Sequence, residues 1–136
     1  EVQALVVAAQ ALVVVAQALV EVQALVTGSR FDSRHRASGI GLDRLVMLAA
    51  VVGNTRGHSA FRSKEAILNI AGGLKVSDPA VDLAVAMALV SSFKKHPVPR
   101  DVAFVGEVGL TGEVRQVPLL DQRVAALKQH GFRASP

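Results

Sequence analysis

Two S-x-x-K spacings, Ser91 with Lys94 and Ser92 with Lys95, put a nucleophile and a base at a chemically meaningful interval. In penicillin-binding enzymes that interval sets a lysine beside a nucleophilic serine, but the S-D-N and K-T-G segments that complete such sites are absent. Overlapping matches at one helix end explain the spacing better. A relocated peptidase dyad, Ser77 or Ser91 with Lys75 or Lys94, stays open as an alternative. The histidines His35, His58, His96 and His130 lack ligand spacing, and the chain has no cysteine, which removes thiolate metal sites and disulfides. Neither G-x-x-x-x-G-K-[ST] nor G-x-G-x-x-G after a strand occurs, so no nucleotide-phosphate loop is expected.

Charge is distributed unevenly. Residues 1–26 carry only Glu1 and Glu21, whereas residues 27–64 carry Arg30, Arg34, Arg36, Arg44, Arg56, Arg62 and Lys64 against Asp32 and Asp43. A local basic excess of this kind suits a phosphate backbone, although charge alone fits an ordinary solvated surface equally well. With 136 residues the chain is of one-domain size, and 51% apolar residues supply a core. That core must be aliphatic, because there are five Phe and neither Trp nor Tyr.

The stretch Gly72–Leu89, GGLKVSDPAVDLAVAMAL, organises the rest. Asp78 can cap a helix, Pro79 suits its first position, and Ala80–Leu89 is apolar apart from Asp82, which predicts a helix buried on all sides. A helix N-terminus often holds a nucleophile or an anion, yet Ala80, Val81 and Asp82 offer no nucleophile. This helix is expected to run from Pro79 to Lys95 and to stop at His96–Pro99.

Around it, Asp43–Val52 reads as a helix, Glu65–Ala71 as an alternating strand, and Val102–Val108 with Glu113–Val117 as a hairpin around Gly109–Gly112. A last helix is expected over Leu119–Gln129, and Phe132–Pro136 as the start of a strand. Thr27–Gly41 and Gly53–Lys64 read as loops. These elements predict an α+β two-layer arrangement.

Residues 1–20 form a low-complexity tract. QALV recurs at 3–6, 10–13, 17–20 and 23–26, and we read it as one strand, Glu21–Val26, copied upstream, by duplication or as an artefact. Val2–Val20 is uncharged and near the roughly 20 residues that span a bilayer. Glutamines on one stripe and missing aromatic or basic anchors argue against a membrane helix. The acidic start argues against a signal peptide, and the first residue, Glu1, suggests a fragment.

Three pieces together carry a resemblance: NIAGGLKV (69–76), DPAVDLAVAMALVSS (78–92) and VGEVGLTGEVRQVP (105–118). They resemble the Lon-like C-terminal domain of the RadA (Sms) family of bacterial DNA-repair ATPases. EVQALV at 21–26 is similar to that domain's first strand, so the resemblance covers 21–136, truncated at its C-terminus. It implies an α/β sandwich of the Lon protease / ribosomal S5 domain 2-like type. In proteases of this fold a serine in a G-P-S-A-G segment works with a later lysine as base. Laid on this chain without gaps, the serine falls on Ala80 and the lysine on Arg123. Alanine has no nucleophile and arginine stays protonated, so proteolysis is expected to be absent, with Ala80 packed and Arg123 a helix-surface or interface cation.

The resemblance further implies a part in recombinational repair in the bacterial cytoplasm, within a hexameric ring around single-stranded or branched DNA, with RecA recombinase as a further partner. ATP, Mg and Zn are expected only in upstream domains, so this fragment should need no cofactor. Lys75 and Arg115, each between apolar neighbours, are the leading candidates for phosphate contact, with Arg34, Arg36 and Arg44 behind them. With so few aromatics, base stacking should contribute little, and binding should ignore sequence and fall steeply with salt.

Overall fold

The described structure opens on a sheet whose buried face is set by alternation. The computed structural model describes residues 9–15, 18–28 and 35–135. β2 (Ala18–Gly28) turns Val20, Val22 and Ala24 inward, and β4 (Lys64–Ile70) turns in Ala66, Leu68 and Ile70, as a period of two requires. The strands pair antiparallel with Val22 opposite Ile70 and Ala24 opposite Leu68. On the other face Asn69 Nδ2 donates to Gln23 Oε1 at 3.0 Å, so polar residues pair where the sheet is not covered.

The QALV repeat supplies neighbouring strands. β1 (Ala9–Val15) pairs antiparallel with β2, bringing Gln10 opposite Gln23. With β3 (Arg36–Ser38), β5 (Val102–Phe104) and β8 (Arg133–Ser135) they form one sheet in the order β3-β4-β2-β1-β5-β8. β3, β5 and β8 join by parallel pairing. Among the described residues no helix is long and apolar enough to cross a membrane.

The helical layer is α1 (Leu42–Asn54), α2 (Asp82–Lys94) and α3 (Leu120–Gln129). α2 lies against β1 and β2 and beside α1, which buries Leu83, Ala84, Val85, Ala88 and Leu89. This is the α+β two-layer fold that the pattern predicts. The expected single helix from Pro79 starts instead as a tight 3-10 turn, Pro79–Val81, before α2 proper. α2 stops as expected. Lys95 turns left-handed at φ 58°, His96 N–H returns to Ser91 O at 3.1 Å, and Pro97 bars further helix.

One expected strand is broken. Val102–Val108 divides into β5 and β6 (Glu107–Val108), and β6 leaves the main sheet to pair with β7 (Val114–Arg115). Gly106 makes the break: its N–H donates to Ala80 O at 3.3 Å and its carbonyl accepts Leu83 N–H at 3.0 Å. A Cβ there would come within 2.9 Å of Val114 Cγ1, so only glycine admits this approach. The start of α2 is thereby stitched to the hairpin. The regions expected as loops also carry local structure, in β3 and in a 3-10 turn, Ser59–Ser63, that buries Phe61 edge-on to Phe93 at 5.5 Å.

Candidate nucleic-acid interface

The entrance to α2 is closed by paired charge. Asp78 caps the turn by accepting Ala80 N–H at 3.0 Å on Oδ1, and Oδ2 meets Arg123 Nη1 at 3.0 Å. Arg123 Nε also donates to Pro118 O at 3.0 Å, and its side chain is only 12% exposed. The structure therefore departs from the expected surface or interface cation: Arg123 is an inward brace. Ala80 is wholly buried, with its carbonyl occupied by Gly106. Ala80 and Arg123, which the resemblance sets against a Lon-type dyad, are thus linked through Asp78, and neither side chain is a nucleophile or a base.

One turn further on, Asp82 is fully buried. Arg44 grips it with two donors, Nε to Oδ1 at 2.8 Å and Nη2 to Oδ2, while Oδ2 also accepts Val108 N–H at 3.1 Å. Glu107 Oε2 stands 3.7 Å from Arg44 Nη2. The Asp82 hydrogen bond raises the Arg44 pKa above its ordinary value, against the opposing effect of desolvation. Arg44 was expected among the DNA contacts; the structure commits its fork to a buried carboxylate instead. A lone charge in an apolar helix demands a partner, and that signal was present at Asp82 in the sequence. Which cation answers it was not.

The other candidate cations lie outward. Lys75 follows Gly72 and Gly73, which hold φ of 79° and 70°, and it is exposed without an ion pair among the described residues. It borders an open cleft of about 320 Å³ between Gly39–Gly41 and Val76–Ser77. A second cleft of about 370 Å³ shares Ile40, Gly41, Val76 and Ser77 and runs on toward Arg44 and Asp78. Arg36 sits on edge strand β3, largely exposed, 3.8 Å from Glu65. Arg34 lies outside the described residues.

Arg115 is 63% exposed on β7 and is held by Glu113, with Nη2 at 2.9 Å and Nε at 3.3 Å from Oε2. The Thr111 side chain above all, then the Glu113 backbone and Arg115, lower the Glu113 pKa to about 2. Sequence reasoning missed Glu113, although its i, i+2 spacing from Arg115 on a strand places both on one face.

Of the two serines read as relocated nucleophiles, Ser91 is engaged with backbone and Ser77, among the described residues, is not, while Ser92 of the second S-x-x-K match is engaged as well. Ser91 Oγ donates to His96 O, and Ser92 Oγ accepts Val26 N–H at 2.9 Å. Ser77 is exposed in the cleft beside Lys75. Among the described residues no group of three or more His, Asp or Glu could hold a metal ion.

A family model described as subunit ChlI of Mg-chelatase matches residues 47–135. The DNA repair protein RadA of Haemophilus influenzae is 41% identical over 114 residues, which cover 83% of this chain and 25% of that relative. RadA of Streptococcus pneumoniae is 42% identical over 113 residues, covering 82% and 27%. RadA of Salmonella typhimurium is 40% identical over 114 residues, covering 83% and 25%. The chain spans about a quarter of the length of these relatives. It belongs to the family that the ChlI model defines, and over most of its length it is similar to DNA repair protein RadA.

Proposed function

We propose that this chain is a non-proteolytic, Lon-like domain of a DNA-repair ATPase that holds DNA by its backbone and helps assemble a ring of subunits. The observation that carries this reading is the sealed entrance of α2. Ala80 is wholly buried where a nucleophile would stand, and Arg123 is bonded to Asp78 where a base would stand. A peptidase fold without a reactive pair is left with its surface, and there Lys75, Arg36 and Arg115 project from ordered backbone. Rigidly presented cations suit phosphates, which position a strand without reading its bases.

The ATPase itself, with its ATP, Mg and Zn, belongs to parts of the parent protein beyond this chain. The parent protein works in the cytoplasm, with RecA recombinase as a further partner. Ring formation is testable by sedimentation of the full-length protein with and without oligonucleotide, where a hexamer independent of DNA is expected.

The DNA reading is tested by replacing Lys75 and Arg115 together with alanine in the full-length protein and titrating a labelled single strand. Affinity should fall, and the slope of log K against log salt should flatten by about 0.7 for each phosphate that is no longer neutralised. An unchanged titration would sink the assignment. A fluorogenic-peptide assay separates this reading from a relocated Ser-Lys dyad. Turnover that Ser77→Ala or Ser91→Ala abolishes would favour the peptidase.

A further inference from the structure

We propose that Glu113 is a built-in competitor for the phosphate that Arg115 would take, so that strand binding at the hairpin is an exchange of one anion for another. The inference rests on reading Arg115 as a phosphate contact and concerns how that contact is regulated.

The hairpin is built to hold this carboxylate in place. Glu113 Oε1 accepts both Thr111 N–H at 3.2 Å and Thr111 Oγ–H at 2.5 Å. Oε2 faces the Nε and Nη2 donors of Arg115. The turn beneath is closed by Gly109 N–H to Glu113 O at 2.9 Å and Gly112 N–H to Gly109 O at 3.0 Å. A Cβ on Gly109 would collide with the Glu113 carboxyl, so the carboxylate occupies space that only glycine at 109 leaves open. The Thr111 hydroxyl above all, then its own backbone and Arg115, hold its pKa well below the usual carboxylate range.

A planar carboxylate across the Nε–Nη2 edge of a guanidinium uses the same donors, in the same fork, as a phosphate would. Arg115 and Glu113 are 63% and 38% exposed, so a strand can reach the pair and displace the carboxylate. Lys75 has no such partner among the described residues, which makes it an open contact and Arg115 a gated one.

The test is a double-mutant cycle in the full-length protein, read by anisotropy of a fluorescein-labelled oligo-dT across a salt series. Glu113→Gln should tighten binding between about twofold and fivefold, the span of an exposed ion pair. It should also steepen the salt slope by about 0.7, because Arg115 then engages a phosphate without freeing a negative charge beside it. Both changes should vanish in the Arg115→Ala background. Gly109→Ala pushes the carboxylate aside without altering net charge, and it should tighten binding in the same direction.

Equal tightening by Glu113→Gln with and without Arg115 would reduce the effect to general charge and overturn the proposal. So would no tightening in a protein that Arg115→Ala still weakens. If Arg115→Ala has no effect even in the Glu113→Gln background, the reading of Arg115 as a phosphate contact fails as well.

Discussion

Arg123 Nη1 stands 3.0 Å from Asp78 Oδ2, so the arginine of α3 is bonded to the residue that caps the turn holding Ala80. Arg123 reaches from α3 to the turn ahead of α2 and closes the space between them. Removing it takes the arginine donors from Asp78 Oδ2 and Pro118 O. Arg123→Ala should therefore destabilise the fold by about 2 kcal/mol, the scale of a charge-assisted hydrogen bond, measured by chemical denaturation. Ala80→Ser, alone or with Arg123→Lys, should leave peptide hydrolysis at baseline because residue 80 has no exposure to substrate. Turnover above baseline in either variant would contradict a sealed entrance.

A second brace joins three elements at one carboxylate. Asp82 of α2 holds Arg44 of α1 and the Val108 amide of β6. Arg44→Ala would leave a buried charge without its partner, at a cost of about 3 kcal/mol. Asp82→Ala would strand both Arg44 and the Val108 N–H. Denaturation of both single variants and the double should give strongly non-additive losses, since each single change already breaks the same pair. Arg44→Ala should leave the salt slope of DNA binding unchanged under conditions where the variant is folded. A flattened slope would return Arg44 to the phosphate contacts.

These braces mark where the sequence stopped being readable. Local periodicity sufficed for α1, β4 and α2, because Ala66, Leu68 and Ile70 alternate and Ala80–Leu89 is apolar on every side. The turn chemistry of Asp78-Pro79 and Gly109–Gly112 was equally local. The break at Gly106 was not, since its cause is a pair of hydrogen bonds to Ala80 and Leu83 on a distant helix. Nor did the QALV repeat disclose that one copy would lie between β2 and β5. Among the cations, exposure of Lys75 followed from its glycine turn, whereas the occupation of Arg44, Arg115 and Arg123 depended on partners that only the fold supplies.

Acid should loosen the hairpin as pH falls below the ordinary carboxylate range. The folded pKa of Glu113 is about 2 against an ordinary 4.5. A depressed carboxyl pKa contributes stability that is present above the unfolded value and lost as pH falls toward the folded one. That contribution should therefore be complete above pH 4.5 and disappear between 4.5 and about 2. Asp101, lowered by its hydrogen bond to Arg133, contributes with the same sign. Denaturation across an acid series should show a weaker pH dependence in Glu113→Gln than in the parent chain. An identical dependence would mean that the Thr111–Glu113–Arg115 cluster does not hold in solution.

Gly39 links the fold to the proposed interface. It sits at φ 97°, and a Cβ there would lie 2.5 Å from Ile70 Cβ and 2.7 Å from Leu74 O. Its carbonyl accepts Val76 N–H at 2.6 Å, which ties the segment carrying Lys75 to the approach of α1. Gly39→Ala combines a left-handed backbone with a clash against β4, so a loss of about 2–3 kcal/mol is expected. The clash with Leu74 O would also push the Lys75 segment away from Gly39. In the full-length protein at low temperature, where the variant stays folded, DNA affinity should fall about as far as in Lys75→Ala. Combining the two changes should add little, because both act on the same strand-binding cation. Additive losses would place the strand elsewhere than the cleft beside Lys75.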